Sequence, residues 1–160
     1  WSDMYRKVFC IILICLIFTS CGFTPSLKVE GLDTANSTIH YKIENSSYIA
    51  RDTLRTFLKN SDQNEAQYII YINVSESESA VNIGADGSVL EYKIEVLIEY
   101  EIIDNNSGML IHESQSRGFS NYDVSSSEYS TELVKQEAIK IAINQAAQLM
   151  KIMAQSQISK

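Results

Sequence analysis

Cysteine, proline and histidine are scarce in this chain. Its 160 residues include 3 cysteines, 1 proline and 2 histidines. Cys10 and Cys15 lie inside an apolar run near the start, so Cys21 is the last thiol in the sequence. With one thiol beyond that run, the rest of the chain can form neither a disulfide framework nor a thiolate metal cluster. Its stability must therefore come from ordinary packing of apolar side chains.

The sequence also lacks a constellation of residues typical of a catalytic centre. His40 and His112 each lie in a strand-like stretch without a nearby Cys, His or paired Asp, which is typical of surface or sheet-edge residues. One strand carries a row of glutamates, but neighbours on one strand face are about 7 Å apart and would need ligands from other strands to hold a metal. These glutamates are Glu91, Glu95, Glu99 and Glu101. We therefore predict a protein that is not an enzyme and that has no catalytic residues, no metal site and no cofactor.

Acidic residues outnumber basic ones. The chain carries 20 Asp and Glu against 13 Lys and Arg, for a formal net charge of −7. A chain this acidic does not bind nucleic acid through a general basic field. We therefore predict that the protein does not bind nucleic acid.

The first 21 residues have the layout of a bacterial lipoprotein signal peptide. Two basic residues precede an apolar run over residues 8–18, and the run is followed by Thr19, Ser20 and Cys21. The run has about 11 residues, within the range of a secretory signal and short of a membrane span. We expect cleavage before Cys21 and acylation of its sulfur, although Phe18 stands where such signals most often carry Leu. An uncleaved anchor and a cleaved signal without lipid are the alternatives.

The remaining sequence divides into a tether and one domain. We expect residues 1–3 to be an upstream gene-call extension of a signal peptide over 1–20, with Met4 as the initiator. Residues 21–37 contain Pro25 and Gly31 and show no sustained periodicity, which indicates a tether. Residues 38–160 are enough for a single domain with a sizeable core.

Periodicity predicts four strands and two helices in that domain. Alternation of apolar and polar residues indicates strands, and apolar residues at helical spacing indicate helices. In chain order these are a strand over 38–44, a helix over 47–60, and strands over 66–75, 90–102 and 109–122. A last helix, capped by Ser130 or Thr131, runs to about Met153. The order β-α-β-β-β-α predicts an α+β two-layer sandwich, with two helices on one face of a mostly antiparallel four-stranded sheet.

Two strands need further comment. The strand over 90–102 spans roughly 45 Å at ~3.3 Å per residue, so we expect a bulge or an end that projects beyond the core. The sequence does not decide which side of the strand over 109–122 faces the core. Leu110 and His112 lie on one side of it, whereas Met109, Ile111 and Phe119 lie on the other.

The ordered pieces resemble the LPS-assembly lipoproteins of the LptE family, and in particular its short alphaproteobacterial-type members. Cys21 is followed by Gly22 and Phe23 and then closely by Pro25. A helix over 49–58 follows the first strand, and the long alternating strand over 90–102 comes later. A stretch from Arg117 through Tyr122 to residues 127–132 then leads into an alanine-containing helix.

The resemblance implies a place and a partner. Such a lipoprotein lies in the periplasmic leaflet of the outer membrane and inserts into the lumen of a large β-barrel translocon subunit, LptD-like, as a plug and assembly aid. Direct contact of this acidic chain with lipopolysaccharide would need a local basic site, for which the candidates are Lys93, His112 and Arg117. An auxiliary lipoprotein of another envelope lipid or ABC-type transport system is the alternative function.

Overall fold

The computed structural model describes residues 38–159. The predicted signal peptide over 1–20, with its extension over 1–3, lies outside the described residues. So do the lipidation site at Cys21 and the tether over 21–37. These assignments, and the single domain over 38–160, stay predictions.

The described residues form four strands and two helices in the predicted order β-α-β-β-β-α. The elements are β1 (Ile39–Ile43), α1 (Tyr48–Phe57), β2 (Tyr68–Ile83), β3 (Val89–Asp104), β4 (Leu110–Asp123) and α2 (Glu128–Ile158). The α+β fold class is therefore confirmed.

The four strands lie side by side in the order β1-β2-β3-β4. β1 pairs with β2 in parallel, and the other two pairs are antiparallel. The parallel pair follows from the chain connection, because α1 carries the chain back so that β2 starts at the same end as β1. The sheet is mixed and mostly antiparallel, as predicted.

The core lies between the sheet and the two helices. Alternate residues of β3 point toward the helices and are at most 2% exposed. They are Ile94, Val96, Ile98, Tyr100 and Ile102. Ala50 and Leu54 of α1 and the buried side of α2 join them in one apolar cluster. A strand exposes alternate residues to opposite faces, so neither of the two described helices, α1 and α2, covers the second face of the sheet.

β2 is longer than the sequence predicted. The alternating apolar pattern ends near Val74, but the strand continues to Ile83 and pairs with β3 along the way. Every residue from 75 to 83 is exposed, so this half of β2 forms a hairpin arm with the start of β3. Register shifts lie near Asn82 and between Ile102 and Ile103. The irregularity expected of the long third strand is therefore present as register shifts in its pairing with both neighbours.

The helix boundaries agree with the prediction at the start of α1 but not elsewhere. The Ser47 side chain caps α1 by accepting a hydrogen bond from the Ala50 N–H. The predicted cap of α2 at Ser130 or Thr131 is wrong, because Ser127 takes that position and accepts from the Ser130 N–H. Thr131 lies inside the helix and donates from its hydroxyl to the Ser127 carbonyl at 3.1 Å. α1 ends at Phe57 rather than near residue 60, and α2 continues to Ile158 rather than ending at Met153.

The structure also resolves which way β4 faces. Ser116, Gly118 and Tyr122 are buried toward the helices, whereas Arg117 and Phe119 are exposed on the other face. The small residues on the buried side explain why the apolar pattern was ambiguous. A helix that lies close to the strand leaves no room for large side chains at these positions.

Candidate interaction surface on the uncovered sheet face

The face of the sheet that no described helix covers is here called the open face. It is formed by alternate residues of the four strands, which stand in cross-strand rows. From β2 to β4 the central rows are Ser75, Leu97 and Arg117, then Ser77, Glu95 and Phe119, and then Ser79, Lys93 and Asn121. The open face is therefore predominantly polar, with a few isolated apolar side chains.

Lys93 and Phe119 make one of the principal contacts of the open face. The Lys93 ammonium nitrogen lies 4.3 Å from the centroid of the Phe119 ring. A cation above an aromatic ring is held by the ring quadrupole, and at an exposed site such a contact is worth about 0.5–1 kcal/mol. The contact fixes a positive charge beside an exposed aromatic ring.

Arg117 lies on the other side of Phe119 along β4. Its guanidinium is 3.3 Å from a carboxylate oxygen of Glu95, which stands directly across from Phe119 on β3. Asn121 donates from its side-chain amide to Glu91 at 2.8 Å. An exposed ion pair of this kind contributes only about 0–1 kcal/mol, so Arg117 remains able to exchange Glu95 for another anion.

Two of the three predicted basic residues therefore come together, and the third does not. Lys93 and Arg117 share the open face around Phe119. His112 stands across from Ile102, whose side chain is buried toward the helices, so His112 belongs to the helix side of β4. Its position in the alternation relative to Arg117 already placed it on the opposite face.

Sequence reasoning missed a further cation on the open face. Lys42 of β1 stands beside Tyr71 of β2, with its ammonium nitrogen 4.7 Å from the ring centroid. The strand alternation of the sequence already placed Lys42 on the polar side of β1. Its position beside Tyr71 could be recognised only once the parallel register of β1 and β2 was known.

The open face becomes acidic toward the end of β3. A shallow pocket of about 560 Å³ lies there, and Glu99, Glu101 and Glu113 contribute three carboxylates to its lining. Asn73 and Gln115 also line it.

Among residues 38–159, no group of three His, Cys, Asp or Glu is placed to hold a metal ion. The described helices include none that is long and apolar enough to cross a membrane.

A polar cluster lies on the helix side of the hairpin arm. Glu78 of β2 accepts hydrogen bonds from the Tyr122 hydroxyl and from the Lys135 ammonium, the latter at 2.5 Å. The Tyr92 and Tyr122 rings stack with their centroids 5.5 Å apart. Burial alone would raise the pKa of Glu78, but the hydrogen bonds from Lys135 and Tyr122 outweigh it and lower that pKa. The cluster ties the hairpin arm to both β4 and α2.

A comparison of the sequence with protein families identifies the chain. The sequence model of the family "LptE: Lipopolysaccharide-assembly" matches residues 36–152. The chain belongs to the LptE family. The match covers nearly all of the described residues, including the whole sheet and most of α2. No curated protein matches the chain.

Solved structures show the same fold. A Caulobacter crescentus CB15 protein described as a lipoprotein is similar with a TM-score of 0.64 and 18% identity, over 81% of this chain and 96% of that one. Rare lipoprotein B from Shewanella oneidensis is similar with a TM-score of 0.54 and 14% identity, over 76% of this chain and 96% of that one. A minor lipoprotein from Acinetobacter baumannii is similar with a TM-score of 0.56 and 13% identity, over 72% of this chain and 88% of that one. At these identities the likeness supports the LptE-type fold alone.

Membership in the LptE family gives the chain a general role. The family consists of non-enzymatic lipoproteins that act in lipopolysaccharide assembly. The role of this chain therefore lies in lipopolysaccharide assembly, and the family membership makes it a membrane-associated lipoprotein. Recognition of the family from the ordered sequence features is confirmed.

Proposed function

We propose that this chain is anchored by lipid at Cys21 in the periplasmic leaflet of the outer membrane. There it inserts into the lumen of an LptD-like β-barrel as a plug and assembly aid for the translocon that delivers lipopolysaccharide. The observation that carries the proposal is the LptE family match over residues 36–152. The chain acts by binding in this proposal and catalyses no reaction.

The open face supports the plug role because the lumen of a large barrel is polar. A protein that fills such a lumen needs a polar exterior that can form hydrogen bonds with the barrel wall. The exposed serines of β2 and the acidic and basic side chains of β3 and β4 supply one. A helix-covered sheet with one polar face is suited to this environment.

Affinity capture of the full chain tests the partner. We expect the detergent-solubilised, tagged protein to retain a β-barrel outer-membrane protein at near-equal amounts, as measured by quantitative mass spectrometry. Depletion of the chain should reduce the amount of mature barrel. Recovery of inner-membrane or ABC-type transport components in place of a barrel would instead favour an auxiliary role in another envelope transport system.

The lipid anchor has its own test. In cells fed labelled palmitate, we expect label on the wild-type protein and none on the Cys21→Ser variant. The variant should also keep its signal peptide, which gives a product of higher mass. A Cys21→Ser protein that is processed and fractionates with the membrane like the wild type would refute the anchor.

We also propose that Lys93 and Arg117 contact lipopolysaccharide. The two cations flank an exposed aromatic ring, which suits a ligand with both phosphate groups and acyl chains. Charge reversal of both residues to Glu should weaken lipopolysaccharide binding by about tenfold or more, because about 1.4 kcal/mol corresponds to tenfold in affinity.

A matched control distinguishes a local binding site from an effect of the net charge of the protein. Arg51→Glu combined with Arg55→Glu makes the same change in net charge on the exposed side of α1. We expect this control to bind lipopolysaccharide nearly as the wild type does, with thermal unfolding confirming that both variants are folded. Equal losses in the two variants would show a general charge effect and would refute the site.

A further inference from the structure

The two edges of the sheet are treated differently by the fold. On the β1 edge, Tyr41 donates from its N–H to the Asn60 side chain at 2.7 Å, and Asn60 donates back to the Tyr41 carbonyl at 3.3 Å. Ser61 donates to the Ile39 carbonyl from both its N–H and its hydroxyl. The segment after α1 therefore occupies the outward hydrogen-bonding groups of β1.

Among residues 38–159, nothing caps the β4 edge over much of its length. The Val124 N–H donates to the Leu90 carbonyl, so even-numbered residues here turn their main-chain groups toward β3. Main-chain groups alternate sides along a strand, so odd-numbered residues turn theirs outward. Phe119 is one of them, and its N–H donates to the Gln145 side chain of α2 at 2.7 Å. Within the described part of the chain, Glu113, Gln115 and Arg117 have no such cap.

An apolar stripe of α2 lies beside this open edge. Gln145 marks the side of the helix that faces the edge, and residues four or seven positions away share that side. Ile141, Leu149 and Ile152 occupy these positions and are 51%, 44% and 52% exposed. Exposed apolar side chains next to unpaired main-chain groups are typical of sites that receive an added strand.

The negative charge on the open face beside β4 indicates which side chains an added strand would carry. The acidic pocket with Glu99, Glu101 and Glu113 adjoins β4 on the open face. A strand added to β4 would present alternate side chains to the α2 stripe and to this pocket. A second copy of the chain would bring two sets of three carboxylates together, and the chain already has a net charge of −7.

We infer that the β4 edge binds an extended segment of the barrel partner by strand addition. The segment carries apolar residues on its α2 side and basic residues on the side of the acidic pocket. This inference rests on the proposed function, since the barrel is the partner proposed above. It adds the surface used, the main-chain mode of binding and the chemistry of the bound segment.

Capture of the barrel by the full chain tests the stripe. Ile141→Asp combined with Leu149→Asp should reduce the amount of barrel retained by about tenfold or more, because charges replace apolar contacts. The matched control is Leu133→Asp combined with Tyr48→Asp. It replaces two other exposed apolar residues, which are 49% and 85% exposed, and we expect it to retain the barrel like the wild type.

A second pair of variants tests strand addition itself. Gln115→Pro removes an outward N–H from the edge, whereas Gln115→Ala removes only the side chain. We expect the proline variant to lose about tenfold in barrel capture, and the alanine variant, which keeps the outward N–H, to lose clearly less. Circular dichroism and thermal unfolding check that both are folded. Hydrogen exchange of the wild-type complex gives an independent measurement, in which β4 peptides gain protection relative to the free protein.

The outcomes separate the inference from the proposed function. If the wild type captures a barrel but neither variant set lowers capture and β4 gains no protection, the inference is wrong and the proposed function stands. If the wild type captures no barrel, both fail. A photoreactive benzophenone amino acid at position 115 identifies the occupant directly. Cross-linking to the barrel supports the inference, and cross-linking to a second copy or to glycolipid overturns it.

Discussion

Gly118 of β4 lies directly against Ala142 of α2. A Cβ atom added to Gly118 would lie 1.9 Å from the Ala142 carbonyl oxygen and 2.8 Å from the Ala146 nitrogen. Two residues away, the buried Ser116 hydroxyl donates to the Ala146 carbonyl at 2.9 Å. The backbone of the helix therefore packs on the backbone of the strand, and the alanines of α2 permit this approach.

Gly118→Ala should strongly destabilise the fold. The added methyl group meets helix backbone, which cannot move aside without shifting α2, and overpacking of this kind costs about 1–3 kcal/mol or more. Urea unfolding of the purified protein measures the change in the free energy of unfolding. Ser120→Ala, on the same strand face, is the control and should change it by less than about 0.5 kcal/mol. A Gly118→Ala protein as stable as the control would mean that α2 does not pack this closely.

The same contact shows why the sequence predicted the elements better than their packing. Alternation in β3 and helical spacing in α2 are local patterns, so the element order and fold class could be predicted. Gly118 and Ser116 carry no apolar signal, and their role depends on a helix that comes 20 or more residues later. The facing of β4 was therefore open until the structure placed α2 over it.

The hairpin arm was missed for a related reason. The alternation of serine and glutamate after Val74 resembles a polar loop, and it is held as a strand only because β3 provides a long partner. Lys93 and Arg117 could be named as cations from the sequence. That Lys93 of β3 joins Arg117 beside Phe119 depends on the cross-strand register, which no local pattern gives.

Ser47 should contribute measurably to stability as the cap of α1. Its hydroxyl oxygen accepts from the Ala50 N–H at 3.1 Å, and the hydroxyl donates to Glu76 of β2 at 2.5 Å. Ser47→Ala removes both bonds and should lower the free energy of unfolding by about 1 kcal/mol. The neighbouring Ser46→Ala is the comparison in the same urea titration. Its hydroxyl is buried without a hydrogen-bond partner among the described residues, so its loss should be neutral.

Tyr41→Phe should keep or raise the stability. The Tyr41 ring packs in the core, but its hydroxyl is buried without a hydrogen-bond partner among residues 38–159. Burial raises the pKa of Tyr41 to about 12. Removal of an unpaired buried hydroxyl should leave the free energy of unfolding unchanged or increase it by up to about 1 kcal/mol. A loss of more than about 1 kcal/mol in thermal or urea unfolding would indicate a bonded hydroxyl.

The Glu78 cluster should make stability depend on pH at the acidic end. The hydrogen bonds from Lys135 and Tyr122 lower the folded-state pKa of Glu78 despite the opposing effect of burial. A depressed carboxyl pKa contributes stability above the unfolded-state pKa of about 4.3, and that contribution is lost as the pH falls through the folded value. Glu78→Gln removes this contribution. Its destabilisation should therefore be present at pH 7 and should shrink progressively below about pH 4.

The size of this effect is limited by solvent. The Lys135 and Glu78 side chains are 32% and 30% exposed, so their pair contributes roughly 1 kcal/mol rather than the larger value of a buried pair. Urea unfolding of the wild type and Glu78→Gln between pH 3 and pH 7 measures the difference in the free energy of unfolding. Lys135→Gln and the double variant complete a cycle that isolates the coupling between the two residues. A difference that stays constant over this range would show that the hydrogen bonds from Lys135 and Tyr122 do not lower the pKa of Glu78 in the folded state.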